Sequence, residues 1–254
     1  MRRSLIALAV ASGFLGLGAA TASAAEGVAL PHQEWSFQGL FGTYDRAAVQ
    51  RGFQVYQEVC AGCHALSLVR YRNLEAVGFS EDEVKAIAAE ATVMDGPDDD
   101  GEMFERPGRP SDAFVAPFPN DKAAMAANGG ALPPELSLMT KARVGGPTYT
   151  YAILTGYHEP PADIEMQPGL NYNAYFPGHQ IAMPAPLSED AVEYADGTPA
   201  TVEQMAHDVT TFLAWAAEPE LETRKQTGVK VLLFLIVFTG LLYATKRRVW
   251  AKVH

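Results

Sequence analysis

Apolar residues recur every three or four positions in three segments of the chain, and each segment predicts an amphipathic helix. The first predicted helix begins near Asp45 and runs into residues 60–64. The second covers residues 80–94 approximately, and the third begins at Thr201 and is stopped by Pro219. Capping-box pairs, in which two side chains three residues apart satisfy backbone N–H groups, start the second and third helices: Ser80 with Glu83, and Thr201 with Gln204. Aromatic residues on the first and third helices suit packing of one against the other.

The stretch between the second and third helices is rich in helix-breaking residues. Of the 17 prolines and 22 glycines, most fall between residues 95 and 200, which favours long ordered loops over a continuous helix bundle. Residues 95–102 are too densely charged to be buried and predict a solvent-exposed loop. Residues 147–156 are compatible with either a short helix or a strand. The pattern therefore predicts a mainly α fold with long ordered loops.

Two longer apolar runs lie near the ends of the chain. Residues 5–20 follow two arginines and precede the small residues 22–24, so residues 1–25 are predicted to be a cleavable signal peptide. Residues 228–245 are apolar except for Lys230, and eighteen helical residues span about 27 Å of the roughly 30 Å hydrocarbon core. Residues 224–248 are therefore predicted to form one transmembrane anchor helix.

The signal peptide also sets the predicted orientation, because the basic residues on the two sides of the anchor nearly balance. Residues 26–223 are expected in the periplasm and residues 249–254 form a short cytoplasmic tail. The expected location is the bacterial inner membrane, with a single span.

The predicted periplasmic domain is strongly acidic. All 30 Asp and Glu residues fall within residues 26–223, where ten Lys and Arg leave a formal charge of −20. Such a field repels nucleic acid and attracts a basic protein, with association rates that fall as salt rises. The densest acidic stretch is Asp98, Asp99, Asp100 and Glu102, with Glu81–Glu83 as a second candidate for docking.

The chemistry of the chain is concentrated in Cys60-Ala61-Gly62-Cys63-His64, which contains both cysteines of the sequence. This is the spacing of covalent c-type haem attachment, with two thioethers from the cysteines and His64 as the proximal iron ligand. No thiol then remains for a disulfide. A zinc site would need further ligands, and the other histidines are scattered singly. A redox CxxC would follow a strand, whereas a helical pattern precedes this one.

The second axial position of such a haem distinguishes electron transfer from ligand chemistry. Met183 lies in a proline-braced loop, residues 177–186, where a thioether could be held against iron with little freedom. Several other methionines could serve as core filler, and Met183 itself could do so. His179 is the competing ligand and would give a haem with two histidines. The spacing alone leaves these alternatives open.

Several further segments, in the same order along the chain, are similar to the cytochrome c1 family. They are Arg51–Tyr56 before the haem motif, Asn128–Ser137, Leu154–Tyr157, Tyr175–Gly178, the acidic loop from Asp95 to Glu105, and the run from Glu218 to Trp250. The resemblance covers essentially the whole mature chain. It implies a class I c-type cytochrome-like haem domain followed by one C-terminal transmembrane helix.

The resemblance also implies roles for individual residues. Met183 would be the distal haem ligand, with His64 as the other metal ligand. Pro133 or Pro134 would sit beside His64, where a carbonyl accepts the second imidazole N–H; Pro133 is the residue we assign. Arg143 would hold the haem propionates, and otherwise resembles a surface arginine that ends a helix. Tyr149 would line the haem pocket, although a plain core aromatic would look the same in the sequence.

The function implied is that of an electron-carrying subunit of a quinol:cytochrome c oxidoreductase, with one covalent haem c and no catalytic residues of its own. Implied partners are a cytochrome b subunit, the Rieske iron–sulfur protein and a soluble basic cytochrome c, in a dimeric complex in the membrane; nucleic acid is not among them. Two alternatives remain: a membrane-anchored c-type haem enzyme or ligand binder with an open iron position, and a monohaem carrier that serves an oxidase.

Overall fold

The structure, a computed structural model, describes residues 28–251; the predicted signal peptide and the last three residues of the predicted tail lie outside the described residues. The described part is mainly helical, which confirms the predicted class. Its α-helices in chain order are α1 (Arg46–Val55), α2 (Glu81–Ala89), α3 (Asp121–Ala127), α4 (Met139–Ala142), α5 (Gly146–Thr155), α6 (Val202–Ala217) and α7 (Leu221–Trp250). A π-helical turn (Tyr56–Cys60) continues α1, and a 3₁₀ helix covers Tyr71–Val77.

The centre of the domain is the predicted contact between the first and third amphipathic helices, α1 and α6. Their backbones touch at Gly52, where a Cβ would lie 2.0 Å from the carbonyl oxygen of Asp208. Only glycine permits this approach. Around the crossing, Phe212 lies with its ring centroid 5.7 Å from those of both Phe53 and Tyr56. These buried rings belong to the core against which Cys60 of the CxxCH segment packs.

The helix starts follow the capping chemistry in the sequence. The Asp45 side chain accepts hydrogen bonds from the N–H groups of Ala47 and Ala48 at the start of α1. Ser80 and Glu83 form the complete predicted capping box at α2. At α6 only half of the predicted box forms: Thr201 accepts from the N–H of Gln204, but the Gln204 side chain donates to Asp208 instead of reaching back. The buried carboxylate of Asp208 is the stronger acceptor.

The segment after α2 differs from the sequence expectation. The predicted second helix was expected to end near Met94, but α2 ends at Ala89, and β1 (Thr92–Asp95) pairs antiparallel with β2 (Phe104–Pro107). The Arg106 guanidinium binds Asp95 at the end of β1 and Asp112 beyond β2, and so ties the hairpin to the segment that follows it. The acidic loop, predicted to be solvent-exposed, is the tip of the hairpin. Residues 98–102 are exposed there.

The ambiguous segment 147–156 is helical: α5 has Pro147 in its first turn, where a missing N–H costs no hydrogen bond. A second hairpin, β3 (Asn171–Tyr172) with β4 (Gln180–Ile181), precedes the loop that carries Met183. Within residues 28–251, one helix is long and apolar enough to cross a membrane, namely α7. It begins three residues before and ends two residues after the predicted span, and only Glu218–Glu220 separate it from α6.

Candidate haem-binding site

The CxxCH segment forms the end of a continuous helical rod and the turn that follows it. The π-helical turn ends at Cys60, whose carbonyl oxygen accepts from the N–H groups of Cys63 at 3.1 Å and of His64 at 2.9 Å. Cys60 is half-buried and Cys63 is exposed, and neither is in a disulfide. The two thiols and the imidazole are therefore presented by one compact turn, as covalent attachment to two vinyl groups and one iron requires.

The sulfur environment suits thioethers better than thiolate ligands. Burial, with a smaller contribution from Cys63, raises the pKa of the Cys60 thiol to about 12, so this sulfur stays uncharged at neutral pH. Zinc coordination requires ionised thiolates and further ligands. Among residues 28–251 no three His, Cys, Asp or Glu side chains are grouped so as to hold a metal ion. A cysteine sulfur that stays uncharged fits a haem that is attached through C–S bonds.

His64 is oriented by a backbone carbonyl. Its Nδ1 lies 2.8 Å from the carbonyl oxygen of Pro134, which requires the proton to be on Nδ1 and leaves Nε2 with a free lone pair. Burial lowers the pKa of His64, and the hydrogen bond to Pro134 opposes that shift only in part. The imidazole is therefore neutral at physiological pH, which is the form that binds iron.

The accepting carbonyl belongs to Pro134, one of the two prolines that the resemblance allowed for this hydrogen bond, and the haem-binding role assigned to Pro133 stays a prediction. Pro134 accepts because of the register of the two segments: the N–H of Leu136 donates to the carbonyl oxygen of Ala65 at 2.9 Å. This contact places Pro134 next to His64. The carbonyl of Pro134 is thereby placed at the imidazole.

Sequence reasoning missed the side chains that hold these two segments together. Glu135 accepts from the N–H of Ser67 at 2.8 Å and from the N–H of Ser137 at 2.9 Å. The hydroxyl of Ser137 accepts from the N–H of Leu68 at 3.1 Å, and the hydroxyl of Tyr56 donates to the carbonyl of His64 at 3.2 Å. The signal available was the family-like segment 128–137, which contains both Glu135 and Ser137.

Met183 lies half-buried in a loop that is tied to two neighbouring side chains. The hydroxyl of Tyr157 donates to the carbonyl oxygen of Met183 at 3.1 Å, and the Asn171 amide donates to the same oxygen at 3.3 Å. Asn173, completely buried, accepts from the N–H groups of Tyr175 and Phe176 and donates to α5. The loop position of Met183 is therefore fixed by side chains from two separate segments, which carry Tyr157 and Asn171.

The competing ligand, His179, is engaged in the turn between β3 and β4. It has a left-handed backbone, with φ of 59°. Its ring stacks on Tyr172 with the centroids 5.8 Å apart, and its Nδ1 lies 3.3 Å from the carbonyl oxygen of Asn173. These contacts give His179 a local structural role in the hairpin.

Arg143 and Tyr149 lie close to each other. Burial raises the pKa of the Tyr149 hydroxyl, and the nearby Arg143 guanidinium partly offsets this shift. Arg143 follows the last residue of α4, as a helix-ending arginine would, and within residues 28–251 it forms no ion pair. Tyr149 is half-buried on α5. An exposed guanidinium without a carboxylate partner fits a propionate-binding role.

The chain is similar to known proteins over most of its length. The chain matches the Cytochrome C1 family over residues 35–253. It is 50% identical over 97% of both chains to "Cytochrome c1" of Rhodospirillum rubrum. It is 54% identical to "Cytochrome c1 1, heme protein, mitochondrial" of Arabidopsis thaliana, over 90% of this chain and 75% of the relative.

A third relative is a longer protein than this chain. This chain is 51% identical to "Cytochrome b/c1" of Bradyrhizobium diazoefficiens, over 88% of its own length and 36% of that longer protein. The matches include the haem-attachment turn, the segments around it and the anchor helix in one collinear stretch. The chain belongs to the cytochrome c1 family, the haem c electron-transfer subunits of the bc1 complex, which carry one covalent haem.

Proposed function

We propose that this chain takes electrons one at a time from the Rieske iron–sulfur protein and passes them to a soluble basic cytochrome c. Cys60 and Cys63 would hold the haem through thioethers, and His64 and Met183 would supply the ligands to its iron. When bound, haem c supplies one reversible electron. The chain itself makes and breaks no substrate bond, so its residues act by holding ligands in place and by docking partners.

The observation that carries the proposal is the 2.8 Å contact between His64 Nδ1 and the carbonyl of Pro134. It holds the proximal imidazole in one tautomer and one orientation, and it strengthens Nε2 as a donor. Hydrogen bonds from Tyr157 and Asn171 to the Met183 carbonyl restrain the loop that would supply the second ligand. Two restrained ligands move little between oxidation states, which suits electron transfer and leaves no open position for a small molecule.

The proposed arrangement in the membrane follows from the anchor. We expect residues 26–223 in the periplasm and α7 packed on the transmembrane helices of cytochrome b, in a dimeric complex. Gly240 in α7 suits such packing, because a residue without a side chain permits close approach of a partner helix.

A redox-titrated optical spectrum of the purified membrane complex tests this function. We expect one covalent c-type haem that titrates as a single one-electron centre, is low-spin, and does not take up carbon monoxide when reduced. Acid–acetone extraction should leave the pigment on the polypeptide. Loss of the pigment from this polypeptide would contradict covalent attachment. Rapid carbon monoxide binding by the c-type haem would favour the alternative haem enzyme with an open iron position.

Tyr157→Phe tests the restraint on Met183. Loss of the hydroxyl removes one of two donors to the Met183 carbonyl, worth about 0.5–1.5 kcal/mol net. We therefore expect the far-red band of methionine-ligated ferric haem to disappear at a lower temperature or lower alkaline pH than in the wild type. Tyr172→Phe is the matched control, since Tyr172 is in the neighbouring strand and stacks on His179. Equal behaviour of the two variants would contradict the proposed restraint.

The acidic hairpin tip is the proposed docking surface for the basic cytochrome c. Screening lengths fall from about 30 Å at 0.01 M salt to about 3 Å at 1 M, so we expect the second-order rate of cytochrome c reduction to fall about tenfold or more across this range. Stopped-flow kinetics measure it directly. Neutralising Asp98, Asp99 and Asp100 to Asn should lower the low-salt rate and flatten the salt dependence more than neutralising Glu81 and Asp82 does. A flat profile in the wild type would argue against electrostatic docking.

A further inference from the structure

Residues 37–42 form a tight loop with an exposed apolar tip. The chain reverses so closely that a Cβ at Gly42 would lie 1.9 Å from the carbonyl oxygen of Gln38. On the near side of the loop, Trp35 and Phe37 are buried in the domain core. At the tip, Leu40 is 56% exposed and Phe41 is 79% exposed. Two large apolar side chains of the loop are therefore exposed on the surface, although the core is adjacent to the loop.

This loop is fastened to the first turns of the anchor helix. The Lys225 ammonium donates to the carbonyl oxygens of Phe37 at 2.6 Å and Gly42 at 3.0 Å, one on each side of the tip. Just beyond the loop, Glu222 accepts from the N–H of Tyr44 at 2.8 Å and pairs with Arg46 at 2.9 Å. The position of the tip relative to α7 is therefore set by hydrogen bonds and an ion pair from two successive turns of that helix.

The length of α7 gives the height of the loop above the bilayer core. Its 30 residues span about 45 Å, which matches a whole bilayer of about 40–45 Å including headgroups. Lys225 lies six residues, or about 9 Å, before Val231, where the part of the apolar run without any charge begins. The root of the loop is therefore at the headgroup level on the side of the haem domain, and the tip is within reach of the acyl boundary.

The charge distribution indicates which surface the tip meets. Residues 35–43 carry no charge, in a domain with a formal charge of −20. An acidic domain is repelled by anionic headgroups everywhere except where its surface is neutral or basic. The loop is neutral, and the Lys225 ammonium binds both of its sides. Arg224 and Lys230 are the other basic residues in this part of α7. Phe and Leu are among the residue types that segments lying in the membrane interface bury at the boundary of headgroups and acyl chains.

We infer that Leu40 and Phe41 enter the interfacial layer of the bilayer and form a second membrane contact of the haem domain beside α7. The inference rests on the proposed membrane span of α7 and on no property of the haem. Two contacts fix the tilt of the domain relative to the membrane plane, which a single helix alone does not do.

Fluorescence quenching by lipids tests the contact. Both native cysteines are consumed by the haem, so Phe41→Cys provides the only free thiol of the chain for an environment-sensitive fluorophore. The labelled complex is reconstituted into vesicles whose lipids carry bromine on the upper acyl chain. We expect emission to fall about twofold or more relative to unbrominated vesicles, with little quenching by aqueous iodide. Met103→Cys, at the acidic hairpin and 59% exposed, is the matched control and should respond only to iodide.

The same measurement distinguishes a lipid contact from coverage of the tip by another subunit and from exposure of the tip to water. Protection from iodide without quenching by brominated lipid would mean that another subunit covers the tip, and quenching by iodide alone would mean that it faces water; either result overturns the inference. Leu40→Cys repeats the test at the neighbouring position. An unchanged haem spectrum in all labelled complexes ensures that a negative result bears on the membrane contact and not on the electron-transfer function.

Discussion

Met183→Leu is expected to convert the haem from a closed electron carrier into one that binds small ligands. Leucine has nearly the volume of methionine but no thioether, so the loop can keep its packing while the iron loses a ligand. We expect the far-red charge-transfer band to vanish, and the reduced form to bind carbon monoxide. The midpoint potential should fall by on the order of 0.1 V or more, because axial ligands span about 0.8 V in haem proteins. Redox titration and a carbon monoxide difference spectrum measure both effects.

Met166→Leu is the matched control for this variant. Met166 is half-buried and lines the same cavity, of about 440 Å³, as Tyr157 and Asn171, whose side chains bind the Met183 carbonyl. A leucine there changes the cavity wall to a similar extent but should leave the band, the potential and the absence of carbon monoxide binding unchanged. If Met183→Leu kept the far-red band, another methionine would be the ligand. If wild-type spectra indicated two histidines, His179 would be the ligand.

The haem turn and the main helices could be predicted because their signals are local. Two cysteines and a histidine within five residues specify one covalent chemistry, and a capping residue such as Ser80 acts on N–H groups three residues away. The contact of α1 with α6 followed from complementary aromatic stripes. The sequence did not show how closely the two helices approach each other. The requirement for glycine at position 52 arises only because the carbonyl of Asp208 lies opposite it.

The parts that escaped prediction depend on contacts between distant segments. The choice of Pro134 over Pro133 follows from the hydrogen bond between Leu136 and Ala65, across about 70 residues, and no local pattern encodes that register. The hairpin after α2 likewise depends on Arg106 reaching both Asp95 and Asp112. A charged run predicted the exposed tip correctly, but the strands that support it carry too few residues for a periodic signal.

The ion pair between Arg51 and Asp208 is the clearest case of a long-range contact on which the fold depends. Asp208 is completely buried on α6. It accepts from Arg51 through Nε at 2.7 Å and Nη2 at 3.1 Å, in a two-pronged geometry, and also from Gln204 at 3.0 Å. Burial alone would raise the pKa of Asp208, but hydrogen bonds from His207, Arg51 and Gln204 outweigh burial and lower it. The carboxylate is therefore charged inside the protein next to the α1–α6 crossing.

Arg51→Met is expected to destabilise the folded domain by about 3–5 kcal/mol, because it leaves a buried charge without its partner. Thermal unfolding of the purified complex, followed by the haem absorbance, measures the loss. The folded-state pKa of Asp208 is lowered, so the pair stabilises the protein at pH above the unfolded carboxyl value and loses its effect as the pH falls through the folded value. The deficit of the variant should therefore shrink in acid.

Two further variants distinguish the effect of breaking the buried Arg51–Asp208 pair from the effect of removing any arginine. Arg46→Met removes a surface arginine, 43% exposed, from its pair with Glu222, and should cost about 1 kcal/mol or less. Arg51→Met combined with Asp208→Asn removes both charges, and should recover much of the stability lost in Arg51→Met, since the penalty comes from the unpaired carboxylate. A double variant no more stable than Arg51→Met would mean that Arg51 acts through its packing between Asp196, Tyr194 and α6. In that case the charge of Asp208 would contribute little to the α1–α6 contact on which the haem turn is built.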